Sequence, residues 1–132
     1  MTQHKVNAHL GRDKYKTALQ TSQHAWFADE PIENGGHNLG PCPTEFLISA
    51  LAACTSITLR MYAEHKNIPL DGVDVEVQLE RDREAGVTRI EKSILLHGDL
   101  SAEQRDKLMQ VADRCNIHQV LTHPIEITSK LC

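Results

Sequence analysis

Residues 40 to 66, GPCPTEFLISALAACTSITLRMYAEHK, read as one helix that is apolar around most of its girth. A helix of that kind is built to be covered, so it constrains the fold more than any other stretch. Pro43 suits its first helical position, where a missing N–H costs nothing, and Glu45 favours the positive end of the dipole. Pro69 disfavours further helix, which sets the expected end near Lys66 and Asn67. In the middle stands a thiol, Cys54. Leu47, Ala50, Leu51, Ile57, Thr58 and Met61 lie 3, 4 or 7 positions away and share its face. On residue counting alone Cys54 is therefore a buried thiol in an apolar stripe, a setting that raises a thiol pKa and opposes nucleophilicity. Chemistry there requires a cation such as Arg to reach it.

The flanking sequence supplies strands. HKVNAHL (4 to 10) alternates polar and apolar, GRDK (11 to 14) is a turn, and YKTALQT (15 to 21) reads as the returning strand. HAWFADE (24 to 30) predicts a third strand. PIENGGHNLGPCP (31 to 43) is a loop rich in Gly, Pro and Asn, long enough to suggest function. Val73, Val75, Val77 and Leu79 alternate with polar residues in the clearest strand. REAG (83 to 86) is its tip, and VTRIEKSILLHGD (87 to 99) the antiparallel return. Ser101 and Gln104 form a capping-box pattern opening a helix to about Arg114. CNIHQVL (115 to 121) predicts a short helix with Asn116 at its N-cap, and IEITSKL (125 to 131) a closing strand. Strands, a long helix, a hairpin, helices and a strand make an α+β class, expected as a single domain over 1–132.

Composition excludes some roles. A formal net charge of −4 with scattered Lys and Arg argues against a nucleic-acid surface. Ser49, Thr55, Ser56 and Arg60 interrupt the apolar helix, so no membrane span is expected. The first residues lack the apolar core of an export signal, which predicts a cytoplasmic protein with reduced thiols. Four cysteines without a Cys-x-x-Cys pair are too few for a disulfide scaffold.

Cys115 stands between two predicted helices, where helix-start N–H groups would favour its thiolate, and His118 lies within one turn. The plain alternative is that Cys115 merely ends the first helix. Cys42, at the start of the long helix, is a rival nucleophile, and Cys132 is the last residue. Cys115, His118 and His123 contain soft and borderline ligands but lack zinc-site spacing, so no metal and no other cofactor are expected.

The Gly-rich loop, ALAACTS on a long helix and ADRCNIH about sixty residues later resemble the OsmC/Ohr superfamily, the osmotically inducible protein C and organic hydroperoxide resistance proteins. The resemblance implies an OsmC-like fold, antiparallel sheets wrapped around a long central helix in an intertwined homodimer. It implies a cysteine-based thiol peroxidase reducing organic or hydrogen peroxides in a stress response. Cys54 matches the peroxidatic thiol and Cys115 the resolving one. They pass through a sulfenic acid to a disulfide that a dithiol reductant reopens. Arg12 in GRDK matches an activating guanidinium. Thr44 stands where the hydroperoxide reductases carry an acidic residue, which leaves Glu45 as the nearest carboxylate. Glu45 is nine residues from Cys54, roughly 13 Å along the helix axis, out of reach of that thiol. Asn116 replaces the proline that commonly follows the second cysteine. Two other roles fit the same fold: a non-enzymatic dimer binding an apolar ligand, and a low-turnover redox sensor.

Overall fold

In the computed structural model, which describes residues 3–132, the first strands form an antiparallel sheet in the order β1 (Asn7–His9), β2 (Thr17–Gln20), β3 (Ala25–Ala28). Ala8 faces Leu19, and Leu19 faces Trp26 across the next ladder. All three strands are shorter than the alternating segments that predicted them. They belong to a compact unit running up to Leu47, and a second unit comprises Ile48–Cys132.

The loop after β3 is ordered around one carboxylate. Asp29 is buried; its Oδ1 accepts the N–H groups of Tyr15 at 3.0 Å and Glu30 at 2.7 Å, and its Oδ2 accepts that of Leu39 at 3.1 Å. Within the loop a single 3₁₀ turn, Ile32–Asn34, ends on Gly35. Gly36 is required by close approach, since a Cβ there would meet the Glu30 carbonyl oxygen. Burial pushes the Asp29 carboxyl up, but the N–H groups of Glu30, Leu39, Tyr15 and His37 together hold it below the ordinary carboxylate range. A depressed folded-state pKa stabilises the fold above the ordinary aspartate value and loses that stabilisation as pH falls through the folded one. Asp29→Asn turns an amide NH₂ toward N–H donors. It is expected to lower the melting temperature at neutral pH and to flatten its fall below about pH 4. Equal melting curves for the two proteins at both pH values would remove Asp29 from this role.

The long helix, α1 (Pro43–His65), starts and stops where its sequence indicates. The Cys42 carbonyl accepts its first i→i+4 bond, from Phe46, so Cys42 is the N-cap. At the other end Asn67 takes a left-handed φ of 54° and the Ile68 N–H reaches back to the Ala63 carbonyl at 2.8 Å. This is a Schellman cap with Asn in the position usually held by Gly. By length and apolarity α1 could cross a membrane. In this fold it serves as a core helix, with Leu51, Thr55, Leu59 and Ala63 buried at a four-residue spacing.

Against that stripe the second unit builds its core. β4 (Gly72–Asp82) and β5 (Val87–His97) form an antiparallel hairpin pairing Gly72 with His97 and Asp82 with Val87. Residues 83 to 86 make its turn, as expected. The loop after β5 requires glycine at 98, where φ is +140° and a Cβ would meet the Pro69 carbonyl oxygen. The capping box also forms: Ser101 Oγ accepts the Gln104 N–H, and Gln104 Oε1 accepts the Ser101 N–H. It opens α2 (Ala102–Ala112), and α3 (Asn116–Thr122) follows. Leu59 and Ala63 of α1, Leu70, Leu96 of β5, and Leu108, Val111 and Ala112 of α2 form one buried cluster.

Three expectations are corrected. Residues 125–131 form no strand: Ile125, Ile127 and Leu131 are exposed, with no described strand paired to them. Alternation shows that a segment could pair, but a strand needs an edge to pair with. The N-cap of α3 is Cys115 rather than Asn116. The buried stripe of α1 runs through Thr55 rather than Cys54, so Leu47, Ile57 and Met61 are exposed and Cys54 is half-buried.

Candidate functional site

Cys115 is the buried thiol of the second unit, 1% exposed. Its Sγ caps α3 by accepting the His118 N–H at 3.3 Å. Thr55, fully buried on α1, places its Oγ1 at 3.6 Å from the same sulfur. Cys54, half-buried, is the residue before Thr55 on the same helix. Burial pushes the Cys115 thiol up. The His118 N–H, Thr55, Cys54 and the Lys92 ammonium outweigh it and leave the pKa below the ordinary thiol value.

Lys92 is the part of this cluster that residue counting missed. Its side chain is 9% exposed; Nζ donates to Thr55 Oγ1 at 3.4 Å and to the Ala112 carbonyl at 3.1 Å, and pairs with Asp113 Oδ1 at 3.2 Å. Asp113 also stands 3.6 Å from His118 Nδ1. A signal was present in the sequence. On β5 the period-two rule puts Lys92 on the same inward face as Ile90, Ile94 and Leu96. A lysine in that register is either strained or recruited. Beside the cluster lies a cavity of about 550 Å³, with Leu51, Ile90, Met109 and Leu121 as apolar lining and Lys92 and His118 as polar groups.

Arg12 is exposed in the segment between β1 and β2, in the first unit. Glu45, also in the first unit, accepts the Cys42 N–H at 3.0 Å. That bond, with the Cys42 thiol second, holds its carboxyl below the usual range and accounts for Glu45 as a helix-start residue. Cys42 is half-buried and Cys132 exposed.

A family model described as OsmC-like protein matches residues 36–130. The chain belongs to the OsmC-like protein family. No curated protein matches it significantly. Among solved structures it is similar to an OsmC-like protein from Mycoplasma pneumoniae, at 22% identity and a TM-score of 0.78, over 91% of this chain and 87% of that one. It is also similar to the organic hydroperoxide resistance protein OhrB of Bacillus subtilis, at 22% identity and a TM-score of 0.62, over 92% and 91% of the two chains. A third is an organic hydroperoxide resistance protein from Elizabethkingia anophelis, at 18% identity and a TM-score of 0.69, over 96% and 92%. At such identities the likeness establishes an OsmC-like fold, mixed α/β with antiparallel sheets.

Proposed function

We propose that this OsmC-like chain is a two-thiol peroxidase acting on organic or hydrogen peroxides, with Cys54 as nucleophile and Cys115 as resolving thiol. The observation that carries this reading is that Thr55, the residue directly after Cys54 on α1, has its hydroxyl 3.6 Å from Cys115 Sγ, which brings the helix segment bearing Cys54 up to the second thiol. The Cys54 thiolate attacks one peroxide oxygen, the O–O bond breaks, and the alkoxide takes a proton and leaves as alcohol. Cys115 displaces hydroxide from the resulting sulfenic acid, and a dithiol reduces the disulfide by exchange. Arg12 is assigned to stabilising the Cys54 thiolate and the leaving oxygen. Glu45 fits better as a first-turn residue of α1 that accepts the N–H of the N-cap, Cys42.

The reading extends to a homodimer and to the cytoplasm, where thiols are kept reduced. Exposed Leu47, Ile57 and Met61 on α1 support the dimer, being an apolar face that a second copy would cover. The cavity beside Lys92 favours one alternative, a dimer that binds an apolar ligand without turnover.

Stopped-flow measurement of organic hydroperoxide consumption with excess dithiol separates these. A peroxidase consumes many equivalents, and peptide mass spectrometry of the oxidised protein finds Cys54 joined to Cys115. Consumption no faster than the dithiol alone would sink the enzyme reading. A single equivalent consumed with the disulfide formed would point to a redox sensor.

A further inference from the structure

The direction of the hydrogen bonds around Cys115 carries more than the pairing of two thiols. An ammonium has three N–H donors and no acceptor. Lys92 directs all three: to the Ala112 carbonyl, to Asp113 Oδ1 and to Thr55 Oγ1. Thr55 Oγ1 therefore accepts from Lys92, and of its two described partners only Cys115 Sγ can take the hydroxyl's own hydrogen. The His118 N–H points at the same sulfur. A sulfur receiving two donors, one backed by a nearly buried cation, is arranged as an anion.

We propose that Lys92 and Thr55 are positioning residues for the resolving thiol: the Lys92 ammonium, acting through the Thr55 hydroxyl, holds Cys115 as a thiolate and supplies the proton for disulfide closure. The proton part rests on the peroxidase reading. Cys115 S⁻ attacks the sulfur of the Cys54 sulfenic acid, the new S–S bond forms and the S–O bond breaks. The departing hydroxide takes the Thr55 hydroxyl proton, and Thr55 recovers one from Lys92. Water leaves and Lys92 becomes a neutral amine. When the dithiol reduces the disulfide, Cys115 re-emerges as a thiol and returns its proton to Lys92, which closes the cycle. The groups facing the sulfur are Cys54 and Thr55 from α1, Lys92 from β5 and His118 from α3, with Asp113 behind Lys92 and His118.

The test uses the full chain with Cys42, Cys54 and Cys132 changed to Ser, leaving Cys115 alone. Its thiolate is followed by ultraviolet absorbance across a pH titration. Lys92→Met and Thr55→Val are expected to move the midpoint up and cut the thiolate fraction at neutral pH severalfold, while Thr55→Ser keeps the parent's curve. In the chain with all four cysteines, Thr55→Val is expected to slow disulfide closure by roughly tenfold or more relative to its effect on sulfenic acid formation. An unmoved midpoint in folded Thr55→Val overturns the inference, whatever the peroxide assay gives. Should Lys92→Met fail to fold, the two Thr55 variants decide. A shifted midpoint in a protein that consumes no hydroperoxide supports the Lys92–Thr55 thiolate and overturns the peroxidase reading instead.

Discussion

Cys54→Ser is expected to reduce dithiol-dependent hydroperoxide consumption to the rate of the dithiol alone. A serine hydroxyl neither attacks the O–O bond at neutral pH nor stores the oxidising equivalent as a sulfenic acid. Cys115→Ser should behave differently. It leaves Cys54 able to react once, so rapid mixing should show about one equivalent consumed, then a stall or a slow phase set by direct attack of the dithiol on the sulfenic acid. A sulfenic-acid trap should label Cys54 in that variant and fail to label it in Cys54→Ser. The opposite pattern, a burst in Cys54→Ser and none in Cys115→Ser, would exchange the two roles. Cys115 invites that comparison because its thiol has the depressed pKa. Its near-complete burial argues against first contact with a peroxide, and the half-buried Cys54 is better placed for it.

How legible this site was in the sequence depends on the range of each interaction. The ends of α1, the capping box at Ser101 and Gln104, and the β4–β5 hairpin are settled by residues within a few positions of one another, and all appear where expected. Cys115 at the start of α3 belongs to the same class, although Asn116 is the residue type that favours an N-cap and Cys115 holds the position. The buried face of α1 is a longer-range matter. Several stripes of that helix are apolar, so counting could not choose among them, and the choice fell to what β5 and α2 press against it. Thr55, a polar residue, ended on the buried stripe because Lys92 and Cys115 give its hydroxyl partners. Asp29 was invisible for a similar reason. Its partners, Tyr15 and Leu39, are 14 and 10 residues away, and nothing local marks a carboxylate as a clasp for a loop.

Leu59→Ala is expected to cost about 2–5 kcal/mol, because Leu59 of α1 is fully buried in the core cluster of the second unit and its loss leaves a cavity. Against a typical total of about 5–15 kcal/mol that is a large fraction, and chemical denaturation should show a lower midpoint with an unchanged slope. Leu59 lies one turn after Thr55, so the same change should also loosen the Thr55–Cys115 contact. Met61 is the control on the same helix. It is 65% exposed, and Met61→Ala in an isolated chain should stay within about 0.5 kcal/mol. A homodimer that covers this face changes that expectation. Met61→Ala would then lower stability in a way that depends on protein concentration, and Met61→Lys would shift sedimentation toward the monomer. If Met61→Ala is neutral at every concentration and the wild type sediments as a monomer, the dimer falls. If Leu59→Ala is neutral as well, the buried stripe of α1 has been placed on the wrong side of the helix.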